Sequence, residues 1–585
     1  MSHRSTPRLA ILWSFARPHA RVIGGALVLG LVASSMELAT PLVTKAVLDA
    51  LTAGGSITLP VVALLALLVV GAVVSYVQWR LLGTVAEDIV LDARRTMVGR
   101  FLSAKVLPLV ARPTGELVTR VTSDSVLLRE AASSSLVGLV NGSVVLVGTL
   151  ALMAWLDLTL FGVTVGALAV VGTLFAVLAP AIATAQERAQ SSLADLGAGT
   201  EGTLRAIKTV KAAVAEDRQR VRLLDDAERA RDHGVVAARR EVLAWTVAQT
   251  GVQAAIVAVL AFGAARVASG DLAASTLVAF LLYAFGLMGP VLSLSQDATA
   301  LQAGVAAAGR IREIDALPAE VAVDTVDSLD SGTVGGPVVL RDVTARYEPD
   351  GPRVLDGVSL TVPERGHVAL VGPSGAGKTS ILFTVLGFLE PESGQVLAGT
   401  TPYEHLDHAQ IRRRLAYVEQ ESPVVPGTVR ENLLFTRPDA SQADLDRVLR
   451  ELRLDDLVDR LPQGLDTPLS NVSVSGGQRQ RIAFARALLA EPDVLLLDEA
   501  TAQVDGTTEA AIHDAIRRQA RRGVVLTVAH RLSTVVDADE IVVVEAGRVS
   551  DRGTHEQLMA SSALYRGLVD ALTLPSVGGR APSAG

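Results

Sequence analysis

Six long apolar stretches in the first half of this chain constrain its fold more than any other feature. Each has close to the ~20 residues that an α-helix needs to cross the hydrocarbon core of a bilayer. Because no water reaches that core, the backbone must satisfy its own hydrogen bonds, as a helix does. The stretches cover residues 22–42, 59–77, 136–156, 158–181, 242–267 and 277–294. We therefore predict an all-α membrane domain of six helices.

The composition agrees with a membrane protein and excludes several other classes. Of the 585 residues, 50% are hydrophobic and 19% are charged, with a mean hydropathy of +0.40. A chain of this length exceeds one ordinary core, so two or more domains are expected. The net charge of −8 argues against a nucleic-acid partner, which favours basic domains. The chain has no cysteine, which excludes disulfides and thiolate chemistry.

The connections between the apolar stretches alternate in character and predict the topology. Those at 53–58 and at Asp157 are short, whereas the second-to-third and fourth-to-fifth connections are long and rich in arginine and glutamate. The arginine bias places the long connections and both termini in the cytoplasm, which predicts a multi-pass protein of the plasma membrane. Proline is absent from 61–107 and from 181–289, so the membrane helices are expected to continue into the cytoplasm. We expect turns at 108–116 and near 209–214.

Four polar residues interrupt the apolar stretches. Placing the carboxylate of Glu37 in the bilayer costs the most free energy. The uncharged side chains of Asn141, Gln249 and Gln253 cost less. Such residues either line a substrate pathway or form hydrogen bonds between helices. The sequence leaves both interpretations open.

The composition changes after residue 314. A stretch rich in Pro, Asp, Ser and Gly predicts a linker over 315–337. From Val338 onward, short β-branched runs alternate with helical patterns, as in an α/β domain on parallel strands. We predict that the membrane domain covers 1–314 and that an α/β P-loop NTPase domain covers 338–575. A disordered tail is expected over 576–585.

A phosphate-binding loop of the pattern G-x-x-x-x-G-K-[ST] begins at Gly372, between an apolar strand and a helix. Its glycines let backbone N–H groups approach the phosphates of ATP, and the helix N-terminus adds partial positive charge. Lys378 is predicted to neutralise phosphate oxygens, and the Thr379 hydroxyl to bind Mg²⁺. The predicted nucleotide-binding residues of the loop are Gly372, Pro373, Ser374, Gly375, Ala376, Gly377, Lys378, Thr379 and Ser380.

Two carboxylates end a second apolar strand, 494–498, about 120 residues after Lys378. Ligands of parallel sheets bind at the carboxyl ends of the strands. We expect Asp498 to bind Mg²⁺ and Glu499 to polarise the attacking water. Between the two motifs, Ser475, Gly476, Gly477 and Gln478 form a glycine-bearing helix start whose N–H groups and hydroxyl suit a phosphate.

With these motifs in order, the chain resembles an ABC transporter of the exporter type over residues 17–572. The resemblance implies that Tyr347 stacks on adenine, that Gln420 contacts Mg²⁺ or water, and that His530 contacts the γ-phosphate. It also implies that Asp505 communicates across a dimer, in which the Ser475 loop completes the ATP site of a second half-transporter, identical or related. The regions 122–128 and 209–214 resemble the coupling helices of this family.

The sequence departs from the family pattern in three places. Val474 replaces a leucine, the stretch 466–473 lacks a Gly-Glu pair, and 502–505 differ from Ser-Ala-Leu-Asp. Because Lys378, Asp498, Glu499 and His530 are present, the ATP site is expected to be complete.

The function implied by the resemblance is MgATP-driven export of a hydrophobic or amphipathic small molecule, a lipid or a peptide. One alternative keeps the fold but imports its substrate, such as a siderophore. Another is a membrane-anchored ATPase that regulates a partner without transporting anything.

Overall fold

The computed structural model describes residues 8–320, 335–469, 474–499, 506–529 and 531–573. They form two compact units. The first comprises residues up to Gly99 together with Thr114–Ala316, and the second comprises Arg100–Pro113 and the chain from Leu317 onward. Most of the predicted linker 315–337 and all of the predicted tail 576–585 lie outside the described residues. The domain boundaries given above therefore remain predictions.

The chain up to residue 316 is helical. A 3₁₀ turn at Arg17–His19 and two π-helical segments at Arg120–Asp124 and Ala131–Ser135 interrupt the α-helices. The α-helices are α1 (Arg8–Ala16), α2 (Ala20–Thr52), α3 (Thr58–Ser103), α4 (Val106–Val110), α5 (Thr114–Thr119), α6 (Ser125–Glu130), α7 (Leu136–Leu156), α8 (Leu158–Arg205), α9 (Ile207–Ala212), α10 (Glu216–Ala268), α11 (Ala274–Gly286) and α12 (Met288–Asp315).

Among the described residues, six helical segments are long and apolar enough to cross a membrane. They have 42 to 53 residues each, about twice the length that a bilayer crossing needs. The prediction of six membrane helices is therefore confirmed, as is their continuation beyond the apolar stretches. The segments are Ala10–Thr52, Thr58–Ser103, Thr114–Leu156, Leu158–Arg205, Glu216–Ala268 and Ala274–Asp315.

The turn predicted at 108–116 overlaps the break between α3, which ends at Ser103, and α5, which begins at Thr114, but the coupling helix expected at 122–128 is misplaced. Residues 122–128 lie inside the continuous helical segment Thr114–Leu156, whereas the short helix between the second and third long segments is α4, Val106–Val110. Pro108 lies in the first turn of α4, where the N–H that it lacks would have no intrahelical partner. The other turn is where we expected it, with α9 at Ile207–Ala212 followed by Val214 at φ 49°.

Buried ion pairs fasten α12 to the segment that carries the π-helical turns. Asp124 accepts from Arg310 Nε at 2.9 Å and from Nη2 at 2.6 Å, and Arg120 donates to the Arg310 carbonyl at 2.7 Å and to Glu313 at 2.9 Å. Arg120 and Asp124 are both about 4% exposed. Charges so deeply buried are tolerated only when they are paired, so these contacts fix the register of the two helices.

The predicted tight turn at Asp157 is held by its own side chain. Its carboxylate accepts from the N–H groups of Thr159 and Leu160 at 3.0 and 2.8 Å, which caps α8. It also accepts from Arg266 at 2.6 Å, and this ties the end of α10 to the same turn.

The second unit is an α/β domain, as predicted. Its α-helices are α13 (Lys378–Val385), α14 (His408–Arg412), α15 (Val429–Leu433), α16 (Gln442–Glu451), α17 (Asp455–Arg460), α18 (Gly476–Leu489), α19 (Gly506–Arg522), α20 (Leu532–Val536), α21 (His555–Ser561) and α22 (Ala563–Thr573). Its strands are β1 (Val338–Arg346), β2 (Arg353–Val362), β3 (Gly366–Val371), β4 (Ser393–Ala398), β5 (Thr401–Pro402), β6 (Leu415–Val418), β7 (Gly427–Thr428), β8 (Pro468–Leu469), β9 (Val494–Asp498), β10 (Val524–Val528), β11 (Glu540–Glu545) and β12 (Arg548–Gly553).

The strands form a six-stranded sheet of order β12-β11-β3-β10-β9-β6, a four-stranded sheet of order β2-β1-β4-β5, and the pair β7-β8. In the six-stranded sheet β11, β3, β10, β9 and β6 are parallel, and every residue of β9 and β10 is buried. The carboxyl ends of these parallel strands therefore meet at one edge of the sheet, where such folds bind ligands.

Candidate active site

The loop after β3 is shaped by its glycines. Gly372, Gly375 and Gly377 have φ values of 155°, 78° and 103°, which favour glycine. A Cβ on Gly372 would lie 2.0 Å from the Val544 carbonyl oxygen, and one on Gly377 would lie 2.7 Å from that of Val354. The loop can therefore curl against β11 and β2 only with glycine at these positions, and α13 starts at the next residue.

Lys378, the first residue of α13, is buried against its own loop. Its ammonium group donates to the carbonyl oxygens of Gly372 and Pro373 at 2.8 and 2.9 Å. Burial lowers the pKa of Lys378, while the nearby carboxylates of Glu499 and Asp498 act in the opposite direction. The loop thus combines a fixed positive charge with a helix N-terminus, an arrangement that fits the phosphates of a nucleotide.

The start of α13 and the end of β9 bring together two side-chain oxygens of the kind that bind metal ions. The Thr379 hydroxyl lies 3.4 Å from Asp498 Oδ1, and Asp498 is buried. A hydroxyl and a carboxylate are ligands that Mg²⁺ prefers. The residues present therefore fit a Mg²⁺ ion.

Glu499 leaves the end of β9 in a left-handed conformation, with φ 52°. A glutamate in this conformation carries backbone strain, which is common at functional sites. Its carboxylate accepts from Gln420 Nε2 at 2.8 Å, and its carbonyl accepts from Gln480 Nε2 at 3.3 Å. The structure thus brings the predicted base and the predicted glutamine together.

Gln480 had no predicted role. It is about 2% exposed and lies on the inner face of α18, one turn after the helix start. The available signal was a glutamine among apolar residues at helical spacing, but only the fold shows that it supports the Glu499 backbone.

The Ser475 loop forms the predicted helix start. Ser475 caps α18 by accepting from the Gln478 N–H at 3.3 Å, and the Gln478 side chain accepts from the Ser475 N–H at 2.8 Å. Gly476 and Gly477 form the first turn. This reciprocal cap fixes the helix N-terminus, whose N–H groups suit a phosphate.

Tyr347 lies directly after β1 and its hydroxyl is 2.9 Å from Ser380 Oγ on α13. Tyr347 is 45% exposed, which leaves side-chain surface for contact with a base. The remaining predicted site residues, Asp505 and His530, lie outside the described residues. The Ala529 N–H, after β10, donates to the Leu370 carbonyl of β3 at 3.1 Å.

The phosphate loop, the carboxylates of Asp498 and Glu499, and the membrane-spanning helices together define an ATP-hydrolysing membrane protein. Two family models match the chain, "ABC transporter transmembrane region" over residues 23–291 and "ABC transporter" over residues 355–502. An ATP-dependent lipid A-core flippase of Xanthomonas euvesicatoria pv. vesicatoria (strain 85-10) is 30% identical over 580 residues, covering 95% of each chain. The chain belongs to the ABC transporter family.

Two further comparisons cover nearly the whole chain. A multidrug resistance ABC transporter ATP-binding and permease protein of Lactococcus lactis subsp. lactis (strain IL1403) is 28% identical, over 92% of this chain and 90% of its own. The structure of a bacterial Atm1-family ABC exporter with ATP bound superimposes with a TM-score of 0.76 at 25% identity, covering 95% and 99% of the two chains.

These findings confirm an ATP-driven transporter of the exporter fold that hydrolyses ATP and spans the membrane several times. They do not favour the importer alternative. Because one chain carries one ATPase domain, the transporter works as a dimer.

Replacing Lys378 by alanine tests whether the loop binds the phosphates of ATP. It removes the charge from the phosphate cradle, so we expect ATP affinity to fall about tenfold or more, as for the loss of a charged hydrogen bond. Titration calorimetry on the purified protein measures this, with Lys45→Ala in α2 as the matched lysine control. Unchanged ATP affinity in the Lys378→Ala protein would refute the assignment.

Proposed function

We propose that two copies of this chain form a homodimer that uses MgATP to export an amphipathic compound from the cytoplasmic leaflet of the plasma membrane. The observation that carries the proposal is a large apolar cavity among the membrane helices of a chain that also carries the ATP-site residues. The relatives' names, a lipid A-core flippase and a multidrug resistance transporter, support the same substrate class.

The cavity has a volume of about 870 Å³, near the upper end of the range typical of small-molecule sites. Apolar side chains from α7, α8, α10, α11 and α12, chiefly leucine, valine and alanine, make most of its wall. Gln186, Glu241 and Trp245 line the part where α8 and α10 leave their apolar stretches. Apolar walls with a polar end suit a molecule with a hydrocarbon body and a polar head.

Glu37 is not among the residues that line this cavity. Asn141 packs against α2, since a Cβ on Gly30 would lie 2.0 Å from its amide nitrogen and 2.4 Å from that of Gln78. These positions favour the structural interpretation for Asn141 and give the pathway interpretation of Glu37 no support. Glu241 is the better candidate for contact with the substrate.

The proposed hydrolysis uses the residues described above. Lys378 holds phosphate oxygens, Thr379 and Asp498 hold Mg²⁺, and Glu499 accepts a proton from the attacking water. Mg²⁺ would supply charge neutralisation on the phosphates. Gln420, which holds the Glu499 carboxylate at 2.8 Å, keeps the base oriented. Tyr347 stacks on adenine, His530 contacts the γ-phosphate, and Asp505 communicates across the dimer.

Two identical chains suffice for this scheme. The chain carries the phosphate loop, both carboxylates, the histidine and the Ser475–Gln478 loop that would complete the site of its partner. A second copy therefore supplies every residue type that the family pattern requires. The arginine-rich long connections support a cytoplasmic ATPase domain and cytoplasmic termini.

The first test is Mg²⁺-dependent ATPase activity of the chain expressed alone and reconstituted in lipid. Without its base, the Glu499→Gln protein should bind ATP normally but turn over at least about 100-fold more slowly, given the typical contribution of general base catalysis. Glu556→Gln, which changes an exposed glutamate of α21, should behave as wild type. Full activity in the Glu499→Gln protein would exclude this residue as the base, and an inactive but folded wild type would refute the homodimer.

A second prediction concerns the polar end of the cavity. If Glu241 contacts the head group, Glu241→Gln should raise the concentration of a cationic alkylammonium amphiphile that half-stimulates ATPase by about tenfold, the value of one charged hydrogen bond. A neutral amphiphile of equal chain length should stimulate both proteins alike. Glu187→Gln, an exposed glutamate of α8 outside the cavity lining, is the control. Equal shifts for both amphiphiles would contradict the role of Glu241.

A further inference from the structure

Two chain segments that adjoin the membrane helices pair with each other on the second unit. The turn that follows α3 and the stretch that follows α12 form an antiparallel bridge between Ala104 and Ala319. The Lys105 N–H donates to the Pro318 carbonyl at 2.8 Å, and the Glu320 N–H donates to the Ser103 carbonyl at 2.8 Å. The two segments, which we call the paired segments (103–105 and 318–320), are therefore held in one fixed register.

A bidentate ion pair fastens the paired segments to the ATPase domain. Arg412, at the end of α14, donates Nη1 and Nη2 to the two carboxylate oxygens of Glu320 at 2.8 and 2.7 Å. Its Nε donates to the Leu386 carbonyl at 3.2 Å. This pairing with Arg412 is the main reason that the pKa of Glu320 lies below its usual range. Two parallel hydrogen bonds to a planar guanidinium fix the orientation of the carboxylate as well as its distance.

Lys105 makes a second ion pair with Glu390, at 2.6 and 2.7 Å to its two oxygens. This pair is more exposed, with the Glu390 side chain 57% accessible against 19% for Glu320. A lysine ammonium is a point charge on a flexible side chain, so it constrains the position of its partner less than the planar guanidinium of Arg412 does. The Glu320–Arg412 pair is therefore the stronger mechanical link.

A series of ring contacts leads from Arg412 toward the ATP site. The Arg412 guanidinium lies 4.8 Å from the Phe388 ring centroid. Phe388 makes an edge contact with Phe383 at 6.0 Å between centroids, and Phe383 makes another with Tyr417 at 6.4 Å. Aromatic pairs of this geometry are attractive and directional, so the three rings form one set of continuous contacts.

The series ends at groups of the candidate active site. Phe383 lies on α13, the helix that begins with Lys378. Tyr417 lies on β6 beside the Asp498 carboxylate; burial, and then this neighbour, raise the pKa of its phenol. Arg412 lies three residues before β6, which contains Tyr417 and leads to Gln420. One set of contacts thus joins the catalytic edge of the sheet to the paired segments.

We infer that the Glu320–Arg412 pair is a coupling device that transmits changes at Asp498 and β6 to the paired segments, and hence to the ends of α3 and α12. Glu320 and Arg412 are positioning residues, because neither touches the reacting atoms. A shift of β6 moves Arg412, and the bidentate bond carries Glu320 and its backbone partner Ser103 with it. The inference rests on the proposed ATP-driven transport.

The first test compares basal and substrate-stimulated ATPase in lipid. Glu320→Gln keeps the shape but removes the charge, so basal turnover should stay near that of wild type. Stimulation by the alkylammonium amphiphile should fall about threefold or more, within the range of measured coupling effects. Asp493→Asn is the matched control, since Arg414 and Asp493 pair at 2.9 Å at the start of the same strand but touch neither paired segment. Unchanged stimulation in Glu320→Gln would overturn the inference.

A double-mutant cycle then asks whether the two residues act as a unit. If they do, Glu320→Gln combined with Arg412→Gln should lose no more stimulation than either change alone. Additive losses would overturn the pair as the coupling device. A general loss of stability would instead lower basal turnover and the thermal unfolding temperature together.

Hydrogen exchange separates this inference from the transport proposal. In wild type, ATP binding should change the exchange of the amides of residues 103–110 and 317–320, and this change should be absent in Glu320→Gln but present in Asp493→Asn. The measurement needs no transported compound. If no amphiphile stimulates wild type, the proposed function fails while the exchange result still decides the coupling. The same ATP-dependent change in Glu320→Gln and wild type would overturn it.

Discussion

The parallel pairing of β3, β10, β9 and β6 is the constraint on which the ATP site depends. Because these strands run in one direction, each delivers its next residue to the same edge: the phosphate loop, the Ala529 turn, Glu499 and the stretch to Gln420. Because β9 and β10 are buried on both faces, their apolar side chains stabilise the centre of this parallel sheet. Sequence-distant groups meet there without any local signal.

Motifs whose chemistry is local could be read from the sequence. The phosphate loop was found because its backbone conformation, with positive φ at Gly372, Gly375 and Gly377, requires glycine at a fixed spacing. The six membrane helices were found because hydrocarbon leaves the backbone few alternatives. The cap formed by Ser475 and Gln478 likewise lies within four residues.

Features that depend on tertiary contacts were missed. Tyr417 gave only a weak signal, a hydroxyl on an otherwise apolar strand three residues before Gln420, and its place beside Asp498 follows from the pairing of β6 with β9. Gln480 and Arg412 gave none that identified their partners. The expectation of a coupling helix at 122–128 came from the resemblance and failed for a tertiary reason, because these residues lie in one continuous helical segment whose Asp124 pairs with Arg310 of α12.

The Gln420–Glu499 hydrogen bond and the Glu320–Arg412 pair lie at opposite ends of one short strand. Strand β6 has four residues, too few to bend appreciably between its ends, and it is hydrogen-bonded along its length to the buried β9. A displacement that Gln420 undergoes with Glu499 must therefore be shared by β6 as a whole or be taken up in the turn at Arg413 and Arg414. Arg414 resists the second course, because its carbonyl accepts from the Val494 N–H at 3.0 Å and its Nη2 donates to the Gly336 carbonyl at 2.9 Å. In the proposed coupling, the strand and the Arg412 guanidinium therefore move together, so that a change at Gln420 displaces Glu320.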